Sequence, residues 1–206
     1  GSSLLSRGWG RYAGLFVISA PAWWLFELIN MRTENWIYLG KERFSSLEYG
    51  LFATLCFSTV IPAVFETAEL AGTFKWIANM KPGKRVKAGP PQLGAMIVAG
   101  CAMAAGIVLW PRYCYPFVWI SLYCIIDPIN VLLKNRSLIE YLEKSDWRPV
   151  IALWVGCLAC GFFWEMWNYY SYPKWTYHVP FVGFCRIFEM PVLGYGGYLP
   201  FSMELS

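Results

Sequence analysis

The chain has 206 residues, a formal net charge of +4, and a composition that is 57% hydrophobic, 19% aromatic and 15% charged. Soluble domains carry about 25% charged residues, so this balance argues against an ordinary soluble domain and favours an integral membrane protein. The net charge is too small, and too confined to predicted loops, to suggest a nucleic-acid partner. A single histidine argues against haem, chlorophyll or zinc sites built on several imidazoles. We therefore expect no metal and no built-in cofactor.

Six apolar segments are each long enough to cross a bilayer, which takes about 20 residues. They lie at 12–30, 46–70, 93–110, 116–133, 149–170 and, roughly, 183–204. Pro62, Pro191 and Pro200 should kink or break the second and sixth segments, which membranes tolerate where protein covers the freed backbone. The sequence therefore predicts an all-α polytopic transmembrane helix bundle that forms one domain over 1–206.

The placement of lysine and arginine predicts how this bundle is oriented. Eleven basic residues lie on the side of the N-terminus and of the loop KPGKRVKAGPP, five lie on the other side, and Arg186 lies near the start of the last segment. We therefore expect both ends of the visible chain in the cytoplasm, with the protein in a bacterial inner membrane. The first residue is not Met, and the sequence leaves open whether the natural chain extends past Ser206.

The middle pair of segments looks like a packing scaffold. Small residues at Ala95 and Ala99, and at Gly100 and Ala104, have the spacing of close helix contacts. Asp127 precedes a proline within the fourth segment. It is expected either to cap the following turn or to join an inner layer of acids.

The first and fifth segments end in the same motif, which indicates an internal duplication. Each carries Glu-x-x-Asn, and a Trp-x-Tyr triplet begins nine or ten positions after the glutamate. Each returning segment then reaches another glutamate, 30 or 29 positions after the tryptophan. The hairpin is thus predicted twice, at about 12–70 and 149–206, as parallel repeats linked by a helix pair at about 93–133. The first copy contains Glu27, Asn30, Trp36, Tyr38 and Glu66, and the second contains Glu165, Asn168, Trp175, Tyr177 and Glu204.

Acids within membrane spans need a physical reason, because one costs about 2.5–3.5 kcal/mol on insertion scales. Glu and Asn at i and i+3 lie on one helix face, so each motif should aim a carboxyl and an amide at one spot. A carboxyl in an apolar pocket tends to be neutral and can donate a proton, and aromatic faces can stabilise a developing cation. We predict that the four glutamates Glu27, Glu66, Glu165 and Glu204 are catalytic. The predicted substrate-binding residues are Asn30, Asn168, Trp36, Tyr38, Trp175 and Tyr177.

A purely structural interpretation of the same residues stays open. Glutamate and asparagine in a bundle often only bond to a neighbouring helix, and Trp and Tyr near span ends are typical of any aromatic belt. His178, which follows the second triplet, could shuttle a proton or bind a pigment metal, although a loop histidine more often does neither.

Two pairs of stretches resemble the lycopene cyclase domain of the small heterodimeric or fused type. They are NWIYLG with IPAVFE, and KWTYHV with YLPFSME, about 80 residues in all. The resemblance implies multi-pass helices and acid-initiated, cofactor-independent cyclisation of a linear carotene, and it places Glu66 and Glu204 at family acids. The family's paired acid is not reproduced, because Pro62 and Pro200 are each followed by a single glutamate. The chain is also similar to uncharacterised bacterial multi-pass proteins.

The leading functional prediction is a protein that binds, and in one hypothesis modifies, a long apolar isoprenoid such as a carotenoid or quinone. The rival is a non-catalytic accessory subunit of a larger membrane assembly, for instance photosynthetic or respiratory. In that case the partners are other membrane subunits and the carboxylates are interhelical bonds. A proton-coupled transporter is a third possibility.

Overall fold

The computed structural model describes residues 4–206, and most of them are helical. The helices of these residues are α1 Trp9–Thr33, α2 Ser46–Phe57, α3 Val60–Gly72, α4 Lys75–Ala78, α5 Pro90–Leu109, α6 Pro111–Cys114, α7 Ser121–Leu132, α8 Leu138–Glu143, α9 Arg148–Tyr169 and α10 Tyr198–Glu204. The strands are β1 Trp36–Leu39, β2 Lys174–Tyr177, β3 Arg186–Ile187 and β4 Met190–Pro191, and short 3-10 turns lie at Leu5–Arg7, Lys41–Arg43, Tyr115–Trp119 and Val192–Gly197. The chain is an α-helical bundle with two small two-stranded ribbons.

Four helical segments of the described chain are long and apolar enough to cross a membrane. They are α1, the α2–α3 pair, α5 and α9. A fifth is formed if the segment Pro111–Trp119, which comprises α6 and the following 3-10 turn, counts with α7 as one span bent by 41°. The prediction of an all-α bundle of apolar helices is confirmed at this level.

The sixth predicted span, 183–204, is not a continuous helix. Its first part forms the β3–β4 hairpin and a 3-10 turn, and α10 has only seven residues. The segment contains Pro191 and Pro200 and three glycines within 192–197. Proline lacks the N–H that a helix needs and glycine loses the most backbone entropy, so an apolar composition alone could not make this stretch helical.

The break between α2 and α3 is stabilised by a serine from another helix. Pro62 cannot donate to the carbonyl four residues back, and the helix is interrupted at Ser58 and Thr59. The buried Ser19 hydroxyl of α1 donates to the Phe57 carbonyl at 2.5 Å and accepts from the Ile61 amide at 3.0 Å. The freed backbone is therefore covered by protein, which is the condition under which a helix that crosses a bilayer tolerates a break.

Close helix contacts hold the bundle together at two glycines. A Cβ at Gly156 of α9 would lie 2.5 Å from the Ala68 nitrogen of α3, and one at Gly100 of α5 would lie 2.9 Å from the Ser121 carbonyl of α7. Without side chains these positions let the helix backbones approach each other. Gly100 is one of the small residues that the sequence singled out for packing.

Asp127 caps the segment that follows it, which was one of the two roles that the sequence left open. Its two carboxylate oxygens accept from the Leu138 and Ile139 amides, both at 3.0 Å. Asp127 therefore caps the N-terminus of α8, which also has Ser137 at its N-cap, accepting from the Glu140 amide.

The two Trp-x-Tyr triplets pair with each other as one antiparallel ribbon. Trp36 lies opposite Tyr177, and Tyr38 lies opposite Trp175. The register relates the two strands by a local two-fold rotation about the Ile37–Thr176 pair. The ribbon joins the ends of α1 and α9, and it positions the site described next.

Candidate functional site

All four aromatic residues of the two triplets lie on one face of the β1–β2 ribbon. Directly opposed residues, and residues two apart on a strand, share a face. Trp36 is buried, and its three aromatic neighbours on this face are half-buried, whereas Ile37 and Leu39 on the other face are 50% and 40% exposed. We call the β1–β2 pair with this inward aromatic face the aromatic ribbon. It covers the ends of the two helices that carry Glu27 and Glu165.

The half-buried carboxyl of Glu27 accepts three hydrogen bonds on one oxygen. Tyr38 donates to Oε1 at 2.6 Å, and the indoles of Trp36 and Trp23 donate at 3.0 and 3.1 Å. Burial, and then the charge of Glu27, raise the pKa of the Tyr38 phenol well above its usual range. Tyr38 therefore keeps its proton and remains a donor to this carboxyl.

The carboxyl of Glu165 is completely buried, at 0% exposure. Its Oε1 accepts from the Tyr177 hydroxyl at 2.6 Å and from the Tyr198 hydroxyl at 3.0 Å. The Tyr177 oxygen in turn accepts from the Trp175 indole at 2.8 Å. Within residues 4–206, Oε2 of Glu165 is buried and has no hydrogen-bond partner. This oxygen is a polar group that a ligand could satisfy.

The two asparagines fix the ribbon to the helices. The Asn30 amide donates to the Trp36 carbonyl at 2.7 Å, and its oxygen accepts from the Asn35 and Trp36 amides at 2.8 and 3.2 Å. Asn168 makes the equivalent pair of bonds with the Trp175 carbonyl and amide, both at 2.8 Å. Both ends of each side-chain amide are thus used by backbone groups of the following strand. Each asparagine is a clamp that sets where the triplet begins.

The second predicted pair of acids does not join this cluster by any hydrogen bond. Glu204 of α10 accepts from the Leu122 amide at 3.1 Å, near the N-terminus of α7, and its Oε2 is buried without a partner. Glu66 of α3 is half-buried, and its carboxyl makes no hydrogen bond within residues 4–206. The hydrogen-bonded site therefore consists of Glu27, Glu165 and the ribbon.

Aromatic side chains fill much of the space beneath the ribbon. Phe201 of α10 is 1% exposed, and its ring lies 5.8 Å from Trp23, 5.5 Å from Phe26 and 5.6 Å from Trp119. Trp119 also stacks on Trp36, with ring centroids 5.9 Å apart. The core under the ribbon is therefore made largely of aromatic rings that pack against one another.

The β3–β4 hairpin lies along the side of α9 next to Glu165. Phe188 at its tip packs on Phe162 and Tyr169, three residues before and four after Glu165, at 5.5 and 5.8 Å. The hairpin is fastened by an ion pair of 2.5 Å between Lys174 and Glu189. Burial, and then the charge of Glu165, raise the pKa of nearby Tyr195 to about 12. A further phenol that keeps its proton thus lies close to this carboxyl.

The sequence interpretation missed three residues of the site, which are Trp23, Gly161 and Tyr198. Trp23 lies four positions before Glu27, and the matching position before Glu165 is Gly161. A Cβ at Gly161 would lie 2.4 Å from the ring of Tyr198. The glycine therefore makes the room that Tyr198 needs to reach Glu165. The i−4 spacing could have revealed Trp23, but only the fold brings Tyr198 here.

The chemistry available at this site is that of carboxyls, phenols and indoles. No group of three or more His, Cys, Asp or Glu side chains within residues 4–206 is arranged to hold a metal ion. Such a site can hold a polar atom of a ligand at Oε2 of Glu165 and present aromatic faces to the rest of it. When protonated, Glu165 could transfer a proton.

Comparisons with known proteins do not add a family to this description. No protein-family model, no curated protein and no solved structure matches the chain. The resemblance to lycopene cyclase domains stays a prediction.

Proposed function

We propose that this protein is an integral membrane protein that binds a long apolar isoprenoid, such as a carotenoid or quinone, beside Glu165. The observation that carries the proposal is the state of that carboxyl. It is fully buried, two phenols donate to Oε1, and Oε2 has no partner in residues 4–206. An unsatisfied buried polar atom costs about 1–3 kcal/mol. A ligand hydroxyl could donate a hydrogen bond to Oε2, and a ligand alkene could accept a proton from the protonated carboxyl.

The side of α9 next to Glu165 offers an apolar path for such a ligand. Phe162, Phe188 and Tyr169 form a continuous row of rings there. We place the ligand chain along this row, with the β3–β4 hairpin moving aside to admit it. Opening the hairpin would separate the Lys174–Glu189 ion pair, so breaking this pair is part of the cost of admitting the ligand.

The finer hypothesis, drawn from the resemblance, is acid-initiated cyclisation. A protonated Glu165 would give its proton to a terminal alkene carbon and leave a carbocation on the neighbouring carbon. An internal double bond would attack that cation and close the ring. Loss of a proton from the ring back to the carboxylate would restore Glu165, so the net reaction is an isomerisation without cofactor. The aromatic ribbon would stabilise the cationic stages.

We also propose that the two hairpins derive from an internal duplication in a protein with both ends of the visible chain in the cytoplasm of a bacterium. Two facts support the duplication. The Tyr38–Glu27 and Tyr177–Glu165 bonds are both 2.6 Å, and both asparagines bind the backbone of the triplet's tryptophan. Four or five of the six proposed segments are long and apolar enough to cross a membrane as helices, and α10 is in this proposal the shortened sixth segment, the return of the second hairpin.

The test is to purify the protein in mild detergent and to identify co-purifying lipids by mass spectrometry. We expect an isoprenoid in stoichiometric amount with the unaltered chain and its loss in Glu165→Gln. Glu48→Gln is the matched control, because Glu48 is an exposed carboxyl at the start of α2. It should retain the lipid. Lipid retained equally by Glu165→Gln and Glu48→Gln would remove Glu165 from the proposal. No isoprenoid in any preparation would end it.

One observation favours the accessory-subunit alternative. Phe163 and Trp167 on one face of α9, and Tyr170 directly after its end, are 48%, 61% and 78% exposed, and such an aromatic surface suits contact with a helix of another subunit. This alternative is favoured if the protein is extracted only as a stoichiometric complex. In addition, Trp167→Ala should dissociate that complex, whereas Glu165→Gln and Glu27→Gln should leave it intact.

A further inference from the structure

A cleft of about 530 Å³ opens at one end of the aromatic ribbon, where β1 begins and β2 has just ended. We call it the ribbon-end cleft. Its polar lining comes from the end of α1, the start of α6 and the loop after β2, and consists of Arg32, Thr33, Glu34, Arg112 and His178. The cleft contains neither of the carboxyls of the proposed isoprenoid site.

Within residues 4–206, the two arginines of the cleft contact a carbonyl and a ring rather than a carboxylate. Arg32 donates through Nε to the Val108 carbonyl at 2.9 Å, which fixes its side chain and leaves its terminal nitrogens available. The Arg112 guanidinium lies over the ring of Phe181 at 5.6 Å. Within residues 4–206 neither arginine forms an ion pair, although Glu34 lines the same cleft.

The walls of the cleft are held in place by hydrogen bonds between distant parts of the chain. The His178 amide donates to the Asn35 carbonyl at 2.8 Å, and the Tyr115 hydroxyl donates to the Pro180 carbonyl at 2.9 Å. Thr33 also lines the cleft, and its buried hydroxyl has no partner in the described chain. The cleft thus combines two guanidinium groups that form no ion pair within residues 4–206 with the unpartnered hydroxyl of Thr33. The hydrogen bonds of His178 and Tyr115 hold its walls in place.

We propose that the ribbon-end cleft binds a phosphate-bearing anion between Arg32 and Arg112. Guanidinium groups match phosphate oxygens with paired, charge-assisted hydrogen bonds. The cleft lies where α1 and α5 end, which is the depth of lipid phosphates for helices that cross a bilayer. The phosphate comes either from a lipid headgroup or from a soluble anion. This inference does not depend on isoprenoid binding.

The experiment has two arms that separate these sources. Isothermal titration calorimetry with inorganic phosphate tests the purified protein in a zwitterionic detergent. Native mass spectrometry tests the protein from nanodiscs of phosphatidylcholine mixed with phosphatidic acid and counts the phosphatidic acid retained. Binding in the first arm assigns a soluble anion, and retention in the second arm alone assigns a headgroup.

Variants decide whether the cleft is responsible. Arg32→Ala and Arg112→Ala should each weaken binding about tenfold or more, as expected for the loss of a charge-assisted hydrogen bond. Arg43→Ala is the matched control, because Arg43 is exposed and its guanidinium also lies over a ring, 4.6 Å from that of Tyr172. It should leave binding unchanged.

A third variant should strengthen binding, so a folding defect cannot produce its effect. Glu34→Gln removes the negative charge at the cleft and should tighten binding about two- to threefold, with the gain shrinking in high salt. Absence of binding in both arms overturns the proposal. It is equally overturned if Arg43→Ala weakens binding as much as Arg112→Ala, or if Glu34→Gln weakens it.

Discussion

The two Glu-x-x-Asn clusters share their framework but differ in how the carboxyl is surrounded. In both, asparagine binds the strand backbone and a tyrosine donates to glutamate at 2.6 Å. Glu27 is half-buried and has three donors, whereas Glu165 is fully buried with two donors and one unpartnered oxygen. The same motif therefore gives a half-buried carboxyl with three donors on one oxygen in one hairpin, and a fully buried carboxyl whose second oxygen has no partner within residues 4–206 in the other.

One position explains much of this difference. Four residues before the glutamate, α1 has Trp23, whose indole donates to Glu27, and α9 has Gly161. The space at Gly161 is taken by the ring of Tyr198 from α10. One donor to Glu165, Tyr198, thus comes from a separate element, while the corresponding donor to Glu27, Trp23, lies on the same helix as the carboxyl. The buried carboxyl with an unpartnered oxygen is the better candidate for chemistry.

The largest effect is expected from removing the asparagine clamps. Asn30→Ala and Asn168→Ala leave buried backbone groups of the triplets without partners, which should lower the free energy of unfolding by about 2–4 kcal/mol. Asn30 makes three hydrogen bonds and Asn168 makes two, so the first variant should be the less stable. The measurement is unfolding by SDS in mixed micelles. Asn135→Ala, at an exposed loop position, is the control, and equal losses in all three variants would contradict the clamp role.

Gly161→Ala tests the room that Tyr198 requires. The new methyl group would overlap the tyrosine ring, so the variant should lose about 1–3 kcal/mol of unfolding free energy. Gly94→Ala is the matched control, since a Cβ at Gly94 of α5 meets no atom within 4 Å. It should be neutral or gain up to about 1 kcal/mol from helix propensity. If both variants behave alike, Tyr198 does not depend on this glycine.

Deleting one donor from each cluster compares the two carboxyls directly. Tyr198→Phe leaves Glu165 with one donor in a fully buried site, and we expect a loss of about 1–3 kcal/mol. Trp23→Phe leaves Glu27 with two donors in a half-buried site, and we expect about 0.5–1.5 kcal/mol. The same SDS titration measures both. A larger loss for Trp23→Phe would reverse the ranking of the two sites.

The sequence predicted the helices better than it predicted the site. Apolar runs identify α1, α5 and α9 because length and composition decide whether a helix can span a bilayer. The prediction that 183–204 forms a membrane-spanning helix was wrong. Its prolines and glycines disfavour a continuous helix even though its composition is apolar. The i, i+3 spacing placed the asparagines near the glutamates, but it could not show that their amides would bind backbone. Pairing of the two triplets, and the arrival of Tyr198 beside Gly161, depend on contacts between distant segments.

The smallest expected effect is a change in alkaline stability caused by the two tyrosines that donate at 2.6 Å. Burial, followed by nearby negative charge, raises the pKa of Tyr38 and of Tyr177 well above the ordinary value, which is about 10. Above about pH 10 the unfolded chain therefore releases protons that the folded chain retains, so stability falls as pH rises. Tyr38→Phe and Tyr177→Phe should each flatten this fall while lowering stability at neutral pH by about 1 kcal/mol through the lost hydrogen bond.

The comparison variant is Tyr172→Phe, which removes an exposed phenol outside the ribbon. Unfolding free energies measured for the four proteins between neutral pH and pH 11 should give parallel curves for Tyr172→Phe and the unaltered chain. They should give shallower curves for the two ribbon variants. A steeper curve for Tyr38→Phe would mean that its phenol ionises more readily when folded than when unfolded, and then it could not serve Glu27 as a permanent donor. Equal flattening in both ribbon variants would place the distinction between the clusters in Tyr198 and Trp23 rather than in the paired strands.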